Sequence, residues 1–483
     1  MLIQVDSFSN NTMTCKSELL RVISLFFGIL FLSGCTTTSL EPSLAHGSDA
    51  KSDLYWTAFL VQKNKQKPQA KTLAVSGFDN NNAHVKGPIY PLGKNSQTAI
   101  SRPAIAYSKT SNIFLVAVAE KAKNTSGKTY HRIAARFFDI NGTLLKSVNY
   151  LFDDNSSQIN MSGIGSLNTG SVAIAYNSIL DEFIITAQRT VFTPKALVTS
   201  RNGVWGQRLS LNKGVIGAPV EIANMGLMNV TSHSIAYAPI KGTSPSGGRY
   251  LLSYGPVSTL LLDSQMNLVS SVSLNLGSPS GEHYQPDVAF GTISGKPTFL
   301  LVYGDGNNTF CMPSTIPCNA WTGVWGTYID PNKTNYTTGA LNNPFPISKI
   351  DSHFGNKYSY QASVSYNPTS KAFFVVWREL SDPSITGDEK RSHIRGNKVD
   401  YYVNDGDAMS SGLKAPYTNI VVSPVTGNCP PKPVITYCAS TEDPMFPDVV
   451  SISGKKVAVY WHQNNSLKAN AETMVRGKVV TVP

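Results

Sequence analysis

The chain has 483 residues, of which only 15% are charged, and carries a formal net charge of +11. That length suffices for one large repeat domain. A basic excess can serve nucleic-acid binding, but no nucleic-acid motif is present, and the charge is dispersed among abundant Asn, Ser, Thr and Gly.

Lys16 and Arg21 precede an apolar run, VISLFFGILFL, at 22–32. The run is too short to span a bilayer comfortably and has the length of a signal h-region. It ends in Leu32-Ser33-Gly34-Cys35. This stretch resembles the lipobox of bacterial lipoproteins. The resemblance implies cleavage before Cys35, lipidation of its thiol, and attachment to the membrane through that lipid. Thr36 follows where inner-membrane retention would favour aspartate, which implies the outer membrane, with the protein facing the periplasm or the cell surface. Residues 1–35 are therefore read as a leader. Residues 36–53 are polar, lack periodicity and read as a flexible tether, able to extend on the order of 50 Å. The folded domain is expected over 54–483. Lys63, Lys65, Lys67 and Lys71 cluster near its start. They suit anionic head groups, lipopolysaccharide or simply a solvated face.

Strand patterns then recur. LYWTAFLVQ at 54–62 and TLAVSGFDNNN at 72–82 read as strands, and KGPIYPL at 86–92 as a fourth, outer one. The stretch YQASVSYNPTSKAFFVVWRE at 360–379 alternates with period two, turns at Asn367-Pro368-Thr369-Ser370, and continues as an apolar run. That is a hairpin whose second strand is buried on both faces. It has relatives at 102–120, 171–189, 233–255, 285–304 and 446–463. Aligned, these place Ile105, Ile174, Ile235, Val288, Val364 and Val449 in one column. The aromatic column two residues on holds Tyr107, Tyr176, Tyr237, Phe290 and Tyr366, with Ser451 in the last copy. A third strand follows, with Gly206, Gly326, Gly396 and Gly477 in register and Ala135 in the same place. Weaker fourth strands fit at 219–223 and 419–423. Repeated four-stranded antiparallel units specify an all-β protein, a single β-propeller. Six blades are expected, with 54–82 left open as a partial seventh. Closure is expected by pairing of N- and C-terminal strands, 86–92 supplying the outer strand that the last copy lacks.

Cys311 with Cys318, and Cys429 with Cys438, form two close pairs that read as disulfides in an exported chain. Their spacing does not suit zinc, and neither a metal nor a cofactor is expected. In each blade the turn between the first two strands is short. The connections on the other face are long, at 190–202, 305–321, 380–392 and 424–445. Long loops on a rigid scaffold are where binding is built. Residues that begin the innermost strands should ring the axial mouth on that face: Arg102, His233, His283, Gln285, Asp287, Gln361 and Asp448. Asp287 and Asp448 share a column, each after a proline, and two carboxylates at an axial pocket would suit glycoside hydrolysis. Aspartate after proline also caps turns. His283 and His353 are further acid–base candidates. The S-x-D-x-G-x-T-W boxes of sialidases, a GxSxG elbow and an EF-hand loop are all missing. The expectation is a lipid-anchored binding propeller that acts as scaffold or accessory subunit of a protein assembly in the cell envelope, such as a secretion machine. The alternative is a propeller that binds or hydrolyses glycan.

Overall fold

The computed structural model describes residues 38–48, 53–62, 71–93, 98–123, 129–151, 172–192, 200–226, 232–240, 248–255, 258–272, 283–305, 323–333, 344–348, 358–381, 391–400, 420–422, 443–464 and 474–482. Among these residues every regular element is a β-strand.

The strands form seven antiparallel sheets, six of four strands and one of three. Their innermost strands are Thr38–Ser48, Ala104–Ser108, Val172–Asn177, His233–Ala238, His283–Ile293, Tyr358–Asn367 and Asp443–Ile452. We number the blades one to seven in that order. Each innermost strand packs against those of the blades before and after it, and the first packs against the last, so the ring is complete. The propeller therefore has seven blades, and the stretch left open above is a full one.

The core lies between blades. Second strands are buried on both faces and divide their side chains by parity. In blade six, Phe373, Val375 and Trp377 join the cluster shared with blade five, while Phe374 and Val376 join the one shared with blade seven. A slip of one residue would exchange the two sets, so the register is tightly specified. The same division makes a separate apolar cluster at each seam of the ring. Where aromatic residues of one blade crowd the next, the chain uses glycine. A Cβ on Gly47 of blade one would lie 2.6 Å from the ring of Tyr107 in blade two.

Two expectations need correction. Residues 38–48, read as tether, form the innermost strand of blade one. Residues 84–89 are indeed an outer strand, but they pair with Lys71–Asp79 of their own blade. Blade seven shows three strands among the described residues, and none of them pairs with the N-terminal strands. Among the described residues closure is made by packing and side chains at the seam between blades seven and one. Leu44, Tyr55 and Phe78 meet Ile452, Ala458 and Tyr460 there. Asn82 of blade one accepts hydrogen bonds from Tyr55 and Tyr460 and donates to the Gly477 carbonyl of blade seven. Ser453 of blade seven donates to Asp53 of blade one.

Candidate functional site

An innermost strand of a propeller is a sheet edge, with backbone groups turned to the axis. Proline is tolerated there because its missing N–H is not needed by a partner strand. Pro42, Pro103, Pro286 and Pro447 occupy matching places. In blades one, five, six and seven a bulge falls at this point, between Leu40 and Ser43, Tyr284 and Asp287, Tyr360 and Ser363, and Met445 and Asp448. Bulges re-aim side chains. Gln361, inside the third of these, has φ of 57°.

The residue after each proline-type position forms a ring: Ser43, Ala104, Ala173, Ser234, Asp287, Ser363 and Asp448. Ser234, Asp287, Ser363 and Asp448 link the blades. Asp287 Oδ1 accepts from Ser234 at 2.6 Å and from its own strand's Val288 N at 2.9 Å. Asp287 Oδ2 accepts from Ser363 and from Val364 N of blade six, both at 2.9 Å. Asp448 repeats the pattern across the closing seam. Its Oδ1 accepts from Val449 N at 3.0 Å, and its Oδ2 from Leu44 N of blade one at 2.8 Å. Edge amides that have no neighbouring strand thus find side-chain acceptors from the preceding blade.

Ser363 lies between the two carboxylates, 2.9 Å from Asp287 Oδ2 and 2.9 Å from Asp448 Oδ1. One hydroxyl proton serves only one of them. A proton on Asp448 completes the chain, with Asp448 donating to Ser363 and Ser363 to Asp287. Burial pushes the Asp448 carboxyl up to about 6, opposed by Arg102 and reinforced by the charge of Asp287. Arg102 of blade two approaches Asp448 Oδ2 at 3.7 Å and donates twice to the Pro42 carbonyl, at 2.9 and 3.2 Å.

The sequence-based candidates therefore separate. Asp287, Asp448 and Arg102 belong to one axial network. Gln361 is buried in its bulge, at the same end of blade six. His233 is a core residue, 5% exposed, with its pKa lowered to about 4 by burial. The backbones of His283 and Gln285 lie in the strand that leads to Asp287, but their side chains, with His353, Cys35, Cys311, Cys318, Cys429 and Cys438, fall outside the described residues. Ser234 and Ser363 were missed as site residues, although they stand in the same column as the aspartates. Among the described residues no group of His, Cys, Asp and Glu is arranged to hold a metal ion.

Chemically, two carboxyls held close together are the groups that a glycosidase uses as acid and base. Here, however, each Asp287 oxygen already carries two donors, and each Asp448 oxygen accepts a backbone amide. The first work of this pair is to join blades.

No protein-family model and no curated protein matches the chain. Among solved structures it is similar to the intramolecular trans-sialidase from Ruminococcus gnavus in complex with oseltamivir carboxylate, at 9% identity over 92% of this chain and 94% of that one, with a TM-score of 0.40. Trypanosoma rangeli sialidase is similar at 10% identity over 71% of this chain and 53% of that one, with a TM-score of 0.38. The chain thus spans about half the length of that enzyme. A Hadza microbial sialidase shares 9% identity over 89% of this chain and 76% of that one, with a TM-score of 0.35. Similarity at this level says nothing about activity, and the propeller assignment stands on the strand topology itself.

Proposed function

We propose that the chain is a binding propeller that takes a polyhydroxylated ligand of the carbohydrate class at its axial mouth, with Asp287 and Asp448 holding the ring rather than cleaving the ligand. The observation that carries this reading is the uneven ring. Its hydrogen-bonding members run from Ser234 through Asp287 and Ser363 to Asp448, with Arg102 beside the last, while blades two and three contribute Ala104 and Ala173. A purely structural stitch needs no such asymmetry. A one-sided polar arc suits a ligand with several hydroxyls. The test is a glycan array followed by calorimetry. Wild type is expected to retain at least one glycan without releasing reducing ends, and Arg102→Ala, checked for its melting temperature, to bind roughly tenfold more weakly. Retention of no glycan would overturn the reading, and so would cleavage lost on Asp287→Asn, which would make the pair catalytic.

A second reading, a lipid-anchored scaffold of the cell envelope, is favoured by where the long connections fall. Inner hairpins such as Ile293 to Lys296 are tight, whereas Asp305 to Gly323 and Asn464 to Met474, on the mouth face, are long. The strand Thr38–Ser48 enters from that same face, with Thr38 three residues after Cys35. Three residues span at most ~11 Å. A lipidated Cys35 would therefore hold the mouth close to the bilayer, in place of the long stand-off that a tether to residue 53 implied. Cys35→Ser is expected to move the protein from the outer-membrane fraction to the soluble one. Wild type extracted in mild detergent is expected to co-elute with stoichiometric envelope proteins if it is a scaffold. A lone monomer would remove this second reading.

A further inference from the structure

In the axial ring a single carboxylate serves two blades. Asp287 of blade five takes Val288 N of its own strand on Oδ1 and Val364 N of blade six on Oδ2, both at 2.9 Å. Asp448 of blade seven takes Val449 N at 3.0 Å and Leu44 N of blade one at 2.8 Å in the same way. Inward amides on adjacent blades are therefore spaced to fit the two oxygens of one carboxylate. Blades three and four present the same pair of donors. Ile174 and Ile235 stand in the column of Leu44, Val288, Val364 and Val449, and their strands pack side by side. Both amides point to the axis. In blade three the Ala173 carbonyl accepts from Thr186 Oγ1 of the second strand at 3.4 Å, so the backbone groups of the next residue turn the other way. In blade four Gly255 N donates to the Ser232 carbonyl. Bonding alternates along the ladder, so Ser232 and Ser234 face the second strand and Ile235 turns away from it.

What differs is the acceptor. The ring place held by Asp287 in blade five and Asp448 in blade seven is taken in blades two and three by Ala104 and Ala173, which have none to offer. Ser234, the ring residue of blade four, is turned to blade five, where it donates to Asp287 and accepts from Val288 N at 3.3 Å. Ala173 and Ile174 are half-exposed, whereas Val288, Val364 and Val449 are each 6% exposed. The two aspartates bridge blades five to six and seven to one, and the pair of blades three and four continues that alternation. Amides fixed by a rigid scaffold accept an anion with little reorganisation, and bonds to a carboxylate are charge-assisted. We infer that Ile174 N and Ile235 N form a receptor for a carboxylate carried by the ligand of the mouth, held as the two aspartates are held within the chain. The inference deepens the carbohydrate reading and rests on it for the ligand's remainder. It specifies an acidic sugar, with its hydroxyls toward the arc from Ser234 to Asp448.

Isoleucine-selective amide NMR of the full chain, titrated with acetate, glucuronate and glucose, tests it. Acetate and glucuronate are expected to move the Ile174 and Ile235 amide signals, assigned with Ile174→Val and Ile235→Val, and glucose to leave them in place. By calorimetry glucuronate is expected to bind at least ~10-fold more tightly than glucose. Ala173→Asp, which supplies the carboxylate from the chain itself, is expected to raise the melting temperature and to reduce that preference to about one. The titration of wild type does not depend on that variant and so survives its failure to fold. A glucuronate preference retained in folded Ala173→Asp would overturn the receptor. Glucose binding, with neither acetate nor glucuronate moving the two amides, would overturn the receptor and leave the carbohydrate reading intact. Acetate moving both amides, with neither sugar bound, would uphold the receptor and overturn the carbohydrate reading. No binding of acetate or of either sugar would overturn both.

Discussion

Asn82→Ala is expected to lower the unfolding free energy by roughly 3–5 kcal/mol, because it opens the one seam that must join the two ends of the chain. Asn82 is 4% exposed, and its side chain receives both tyrosine hydroxyls of the seam, Tyr460 at 2.8 Å. Tyr55 is 0% and Tyr460 4% exposed, so neither hydroxyl has water to fall back on. A buried hydroxyl left without a partner costs about 1–3 kcal/mol. The tyrosine oxygens are 3.4 Å apart and recover part of this by pairing with each other. Backbone conformation adds a second cost. Asn82 has φ of 66°, a left-handed geometry that asparagine tolerates and alanine resists by about 1–2 kcal/mol. Asn82→Gly separates the two, since it relieves the backbone and still removes the amide. Urea unfolding of the three proteins, with Tyr460→Phe and the Asn82→Ala/Tyr460→Phe double variant, measures the coupling. A loss under ~1 kcal/mol for Asn82→Ala would show that packing alone closes the ring.

Much of this architecture was legible because the blade repeat leaves a column-by-column record. Asp448, Tyr460 and Gly477 lie in one radial row across blade seven, as Asp287, Val302 and Gly326 do across blade five. The glycine and aspartate columns read from sequence are thus true neighbours in the sheets. The first inner strand was not recognised. Its residues Glu41, Ser43, His46, Gly47 and Ser48 are poor strand formers, and strand propensity is weak against context. It is a strand because blades two and seven bury Leu44 and Ala45 from both sides. The one signal was Pro42-Ser43-Leu44-Ala45, which matches Pro103-Ala104-Ile105-Ala106 and Pro286-Asp287-Val288-Ala289. Missing it left one blade too few and led to an expected strand exchange between the termini. The link between Asn82 and Tyr460 carries no column signature, because it joins side chains 378 positions apart that meet only when the ring closes.

Acid is expected to unfold the propeller through its buried histidines, and Asp448 to blunt the effect. His233 and His462 are held at about 4 and about 3, in both cases chiefly by burial. An unfolded histidine titrates near 6.5. Below that value the unfolded chain binds two protons that the folded one refuses, so stability falls by up to ~2.7 kcal/mol per pH unit. His84, also lowered by burial, acts in the same direction. Asp448 works the other way. Its carboxyl, 16% exposed and raised to about 6, gains a proton in the folded state well before an unfolded aspartate does. Between pH 6 and pH 4 it returns ~1.4 kcal/mol per unit. The net loss from pH 6.5 to pH 4 is then roughly 4 kcal/mol from these three groups. Asp181, lowered by hydrogen bonds from Ser108, Ser111 and Tyr176 that outweigh its burial, adds its own loss only below the usual carboxylate range. Urea unfolding at half-unit steps from pH 4 to pH 7 reads the slopes directly. Asp448→Asn, whatever it costs at pH 7, should steepen the decline below pH 6, because nothing then offsets the histidines. His233→Asn should flatten it by about one proton. An Asp448→Asn slope no steeper than wild type would mean that the Asp448 carboxyl is ionised throughout, and the proton chain from Asp448 through Ser363 to Asp287 would fall with it.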